Sequence, residues 1–90
     1  MSDAETYCLD RSRWLRSRPD DARWLVRLAV AQLPAERAVE PDQLRGRIAT
    51  ALGASVRQRY GSPVLVWLLL NVVVPIVVRL VLDWWSNRKE

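Results

Sequence analysis

The sequence predicts an all-α fold with two short amphipathic helices followed by one C-terminal single-pass transmembrane helix. The first observation is residues 64–82, where 16 of 19 side chains are apolar. A helix of 20 residues covers about 30 Å, which matches the hydrocarbon core of a bilayer. The second observation is two earlier segments that open on Pro-Asp and carry helical periodicity. Valine is abundant in the apolar segment, but an isolated strand in lipid leaves its backbone unpaired, so a helix is expected.

Residues 1–18 are predicted to form an N-terminal arm that is either a short helix or a disordered segment. Its apolar residues are too sparse to define a helical face: Tyr7, Leu9, Trp14 and Leu15. The arm carries acidic residues and lacks a continuous apolar run, so a secretory signal peptide is not expected there.

Residues 19–60 are predicted to form a basic pair of helices, at about 19–33 and 42–60. The first helix starts at Pro19, with two acids in its first turn, and ends before Pro34. It is apolar around most of its circumference and therefore requires cover from the second helix, another copy, a partner or lipid. A linker over 34–40 follows.

The second helix has one apolar face, because its apolar residues recur every four positions. These residues are Leu44, Ile48, Leu52, Val56 and Tyr60. The sequence Gly61-Ser62-Pro63 then favours the end of this helix and the start of the next, since glycine suits a helix end, serine a cap and proline a first turn.

Residues 63–85 are predicted to form the transmembrane helix, and 86–90 a short polar tail. Four aromatic residues are candidate anchors at the membrane interface: Tyr60, Trp67, Trp84 and Trp85. Trp67 and Trp84 are 17 positions apart, about 25 Å along a helix, which suits indole rings at two interfaces.

The non-apolar residues inside the span lie on one stripe. Asn71, Pro75 and Arg79 are spaced four apart, so they spread over a narrow arc of the helix. Polar groups on one face of a membrane helix usually turn towards protein or water. The stripe is therefore a candidate helix-association face, and the alternative is a tolerated asparagine, a proline kink and an arginine that reaches the interface.

The segment before the span is basic. Between Gln43 and Ser62 there are four arginines and no acid: Arg45, Arg47, Arg57 and Arg59. Each cation next to a span contributes roughly 1 kcal/mol to the free energy of binding anionic lipid headgroups. The four arginines are therefore candidate headgroup contacts, and a solvated helix face is the alternative.

The distribution of arginine also predicts the membrane and the orientation. Of 13 arginines, 11 precede the span, and four of these flank it closely. Positively charged flanks stay on the cytoplasmic side. We therefore expect the inner (cytoplasmic) membrane, with the N-terminus cytoplasmic.

No catalytic, cofactor-binding or metal-binding residues are predicted. The chain has no histidine and one cysteine, Cys8, and it lacks phosphate-loop, dinucleotide and nucleophile-elbow motifs.

The predicted function is a small non-enzymatic, tail-anchored membrane protein without cofactors. It would self-associate through the transmembrane helix and present its basic segment to the cytoplasm. The predicted partners are the lipid bilayer and either a second copy or another membrane protein.

Two alternatives remain at this stage. A holin-like or toxin-like protein that permeabilises membranes would have a similar size, basic flank and polar stripe. The segment Ile48-Ala49-Thr50-Ala51-Leu52-Gly53-Ala54-Ser55 resembles the middle of a helix-turn-helix motif, with a small residue four positions before the turn glycine.

The helix-turn-helix resemblance implies a DNA-binding or scaffold protein with a buried apolar helix, in which Arg57 and Arg59 would contact phosphates. The sequence departs from that motif at Arg59, where a buried aliphatic residue is expected. Nucleic acid is therefore not favoured as a partner.

Overall fold

The computed structural model describes residues 3–34 and 40–87. Within these ranges the chain forms five helices and no strand, which confirms the all-α prediction. The helices are α1 (Asp3–Arg11), α2 (Arg13–Ser17), α3 (Pro19–Ala31), α4 (Pro41–Arg59) and α5 (Pro63–Asn87). Most of the predicted linker and the last three residues of the predicted tail lie outside the described residues. The predicted helices were about 19–33, 42–60 and 63–85, and the structure has Pro19–Ala31, Pro41–Arg59 and Pro63–Asn87.

The predicted N-terminal arm is helical over Asp3–Ser17 and is broken at Ser12. The Ser12 hydroxyl accepts a hydrogen bond from the Leu15 amide at 3.3 Å and so caps the start of α2. The guanidinium of Arg16 donates to the carbonyls of Leu9 and Asp10 at 2.8 and 2.9 Å, in the last turn of α1. These local bonds fix the angle between α1 and α2.

The carboxyl-terminal half of α5 lies at the centre of the fold. It contacts α1, α3 and α4, and its apolar residues are buried on most sides. The buried residues are Val73, Val74, Val77, Val78, Leu80, Val81, Leu82 and Trp85. The most apolar helix of the chain thus doubles as the core of a small bundle.

The cover that α3 requires comes from α1, α4 and α5. Leu25, Val26 and Ala29 of α3 are fully buried, and α1 contributes Ala4 and Cys8 to the same core. Burial raises the pKa of the Cys8 thiol to about 12, which outweighs the opposite influence of the nearby positive charge of Arg11. The thiol is therefore protonated and inaccessible to thiol reagents as long as the bundle stays closed.

Helix α4 is continuous from Pro41 to Arg59, and its predicted apolar face is confirmed. Leu44, Ile48, Leu52 and Val56 are fully buried. The backbone passes through Gly53 as a regular helix, with no positive φ. A helix-turn-helix needs a turn at this glycine, so the resemblance to that motif is wrong, and the scaffold protein with a buried apolar helix stays an alternative.

One side-chain contact connects the end of α4 to the start of α3. The Tyr60 hydroxyl donates a hydrogen bond to the Asp21 carboxylate, which also accepts from Arg18 at 2.7 Å. The Tyr60 ring meets the Trp24 ring edge to face, with 6.0 Å between centroids. Partial burial and the bond to Asp21 both raise the pKa of Tyr60, because each disfavours the phenolate.

Helix α5 contains one wider turn before its proline. Residues Leu69–Val73 are π-helical, and the Val74 amide donates to the Leu69 carbonyl five residues back. In a regular α-helix the ring of Pro75 would clash with the carbonyl four residues earlier. The wider turn relieves that clash, so α5 stays one helix of 25 residues.

Candidate functional site

One helix of the described chain, α5, is long and apolar enough to cross a membrane. In its most apolar 18-residue stretch, 39% of the residues are buried in the bundle. Length and composition therefore fit both a membrane span and a core helix. The distribution of exposure along α5 decides what each half can do.

The amino-terminal half of α5 is the part that the bundle leaves open. None of the residues Pro63–Leu68 is buried. Val64 is 78% exposed and Trp67 is 62% exposed. Exposed apolar groups that cluster on a small protein usually mark a membrane or protein contact.

The predicted stripe forms the open face of α5. Asn71, Pro75 and Arg79 are all exposed, and Trp67 and Asp83 extend this face in both directions. The Asn71 amide donates to the Trp67 carbonyl of the same helix at 2.9 Å. One of its two N–H donors is thus used locally, and the exposed amide keeps further hydrogen-bonding capacity for a partner.

The four predicted interface anchors have different environments. Trp67 is exposed, Tyr60 and Trp84 are half-buried, and Trp85 is 6% exposed inside the bundle. Trp67 can contact a bilayer directly from the folded state. Trp85 can do so only if α5 leaves the bundle, and all four assignments stay predictions.

The four predicted headgroup arginines have three different environments. Arg45 and Arg57 line a groove between α4 and α5, where Arg79 of the stripe joins them. Arg59 instead lies over the Trp24 ring, 4.4 Å from its centroid, in a cation–π contact. Arg47 is exposed and lies outside the groove.

We call the space between α4 and α5 the arginine groove. Its volume is about 660 Å³. The polar lining consists of Arg45, Thr50, Arg57, Asn71 and Arg79. The apolar lining consists of Ala49, Gly53, Leu70, Val74, Pro75 and Val78. The groove thus combines three positive charges with an apolar floor.

Gly53 lets α4 and α5 approach closely at the groove. A β-carbon built at this glycine would lie 3.4 Å from the Leu70 side chain and 3.6 Å from the Arg57 guanidinium. The guanidinium of Arg57 therefore folds back over Gly53 instead of extending into solvent. The span itself has no small residue for close helix packing, and α4 supplies one.

Charge in the groove is largely unneutralised. Arg45 is 3.6 Å from Asp42, but both side chains are well exposed, so this ion pair is weak. Within residues 3–34 and 40–87, neither Arg57 nor Arg79 has an ion-pair partner, and no carboxylate lines the groove. The groove is thus suited to an anion.

Four of the five polar lining residues were predicted from the sequence, two through the stripe and two through the basic segment, and Thr50 was left out. The stripe and the arginines of α4 were predicted as two separate sites. The signal that joins them is Ala49-x-x-x-Gly53, a pair of small residues on the α4 face that meets α5.

Comparison of the chain with models of protein families, with curated proteins and with solved structures gave no match.

Proposed function

We propose that the protein is a small, non-enzymatic membrane protein that is anchored by α5 and self-associates. In this proposal it lies at the inner membrane with its basic helices on the cytoplasmic side. The observation that carries the proposal is α5, a helix of 25 residues whose amino-terminal half exposes apolar side chains.

The energetics of insertion favour the bilayer. Each aliphatic residue at the centre of a span contributes about −0.3 to −0.6 kcal/mol, and one arginine costs about 2.5 to 3.5 kcal/mol. Arg79 lies three residues from Leu82, near the end of the apolar run, and can reach the interface. The aliphatic residues of α5 therefore outweigh the cost of Arg79.

The bundle and the span are alternative uses of the same residues. Val73–Trp85 pack against α1, α3 and α4 in the folded bundle, and these helices carry many arginines on their outer faces. Those arginines could not follow α5 into the hydrocarbon at acceptable cost. Full insertion therefore requires α5 to exchange its bundle contacts for lipid.

The experiment that tests anchoring is extraction of isolated membranes with alkaline carbonate. We expect the protein to remain in the membrane pellet, because an inserted span is not released by high pH. A peripheral protein should appear in the supernatant, and that result would overturn the proposal.

Self-association is tested by the oligomeric state in detergent. We expect a defined oligomer for the wild type and its loss in Asn71→Leu, because the outward amide groups of Asn71 can hydrogen-bond across helices for about 0.6 to 2 kcal/mol. Gln58→Leu is the matched control, since it also replaces an exposed amide but lies on α4. An unchanged oligomer in Asn71→Leu would remove the stripe from the contact.

A second candidate is a soluble scaffold protein in which α5 serves only as a core helix. The burial of the carboxyl-terminal half of α5 favours it. In that case the exposed amino-terminal half would be covered by a partner, and fluorescent fusions would be diffuse instead of outlining the cell.

A further inference from the structure

We propose that the arginine groove binds a single anionic phospholipid while the bundle is folded at the membrane and α5 has not inserted, an inference that rests on the membrane attachment proposed above. The positive charges of Arg45, Arg57 and Arg79, which are distributed along the groove, would attract the anionic headgroup, and part of an acyl chain would lie on the apolar lining. The site belongs to the folded bundle, because its two walls are α4 and α5 packed together.

The charge arrangement favours an anionic group. Three arginines from two helices line the groove, and no carboxylate of the described residues does. Arginine binds phosphate oxygens through two parallel N–H donors, so an arginine of this lining can hold a headgroup phosphate with defined geometry. Thr50 and Asn71 add neutral hydrogen-bonding groups to the same wall.

The apolar floor favours an amphiphile over a free anion. Leu70, Val74 and Val78 follow one another along α5 and line the groove together with the charged residues. A free phosphate would leave this floor exposed to water, whereas an acyl chain would cover it. A volume of about 660 Å³ also lies within the usual range for small-molecule sites and holds part of one lipid.

The position of the groove fits delivery from a bilayer. Leu70 lies at the boundary between the buried half of α5 and the exposed half that contains Val64 and Trp67. When the exposed half contacts a membrane, the groove lies next to the lipid surface. A lipid can then enter from the bilayer without crossing water.

The test uses the full-length protein and a short-chain phosphatidylglycerol below its micelle concentration, with binding measured by calorimetry. Gly53→Leu fills the groove without changing any charge, because its β-carbon already lies within van der Waals contact of Leu70. We expect it to weaken binding at least about tenfold. Gly46→Leu is the matched control, since nothing lies within 4 Å of that β-carbon, and we expect no change.

A second pair of variants tests the charges. Arg57→Gln with Arg79→Gln should weaken binding roughly 30-fold, or about 2 kcal/mol, as two cations near a headgroup are removed. Arg11→Gln with Arg13→Gln changes the net charge equally at exposed sites outside the groove and should have little effect. Circular dichroism of each variant verifies that the helices are retained.

Several results would overturn the lipid site. One is equal binding by wild type, Gly53→Leu and Gly46→Leu. Another is binding of inorganic phosphate as tight as that of the lipid, which would indicate a free-phosphate site. A third is binding of an acidic helical peptide without binding of lipid, which would indicate a protein partner. Retention of the protein in carbonate-washed membranes, measured alongside, separates failure of the groove from failure of membrane anchoring.

Discussion

Asn71→Lys combined with Pro75→Lys should abolish membrane anchoring and leave the bundle folded. Both positions lie in the middle of α5, where each lysine costs about 2.5 to 3.5 kcal/mol of insertion free energy. Together these costs offset most of the roughly 4.5 to 9 kcal/mol that the aliphatic residues contribute. Both side chains are exposed in the bundle, so lysine there remains solvated. The measurement is carbonate extraction together with circular dichroism of the soluble fraction.

The control for this variant is Ala54→Lys combined with Gln58→Lys. These substitutions add the same charges at the same spacing, on an exposed part of α4 outside the span. We expect the control to stay in the membrane. If the double lysine variant of α5 also resists extraction, α5 does not cross the bilayer with its centre in the hydrocarbon.

Leu25→Ala should open the bundle of the protein that has not inserted, and it should leave membrane anchoring intact because α5 is unchanged. Leu25 is fully buried in α3, and truncation of such a residue typically costs about 2 to 5 kcal/mol. A chain of this size has a free energy of unfolding of only about 5 to 13 kcal/mol. The buried thiol of Cys8 is the reporter, since it reacts with a maleimide only when the bundle opens. Its labelling should accelerate about 30-fold or more, because each 1.4 kcal/mol changes the open population tenfold.

Val64→Ala is the control for Leu25→Ala. It also removes apolar atoms, but Val64 is 78% exposed, so Cys8 labelling should stay at the wild-type rate. The extraction behaviour of Leu25→Ala separates the two candidate functions. A membrane protein keeps its intact span and stays in the pellet, whereas a soluble scaffold protein loses its core and aggregates or is degraded.

The sequence predicted the helices whose signals are local. The spacing of Leu44, Ile48, Leu52 and Val56 defined the buried face of α4, and Pro19 and Pro63 marked two helix starts. The helical state of the N-terminal arm could not be decided, because α1 contributes few large apolar residues. Its stability comes from packing on α3 and α5, which is a tertiary effect that periodicity does not report.

The candidate site was predicted only in fragments. Spacing placed Asn71, Pro75 and Arg79 on one face, and composition singled out the arginines of α4. Their meeting depends on the packing angle and register of α4 against α5, which Gly53 and Leu70 set through close contact. Such a contact between residues 17 positions apart leaves no periodic signal within either helix.

The open face of α5 has a consequence for natural variation. Positions such as Val77 and Val81 need an apolar side chain for two reasons. They form the core of the bundle, and they would face lipid in the proposed span. Pro75 and Arg79 are exposed in the bundle and are restricted only by the bilayer and the groove. Drift among closely related chains should therefore accumulate on α2 and the outer face of α4 first, on the open face of α5 next, and at the buried positions between Val73 and Trp85 last.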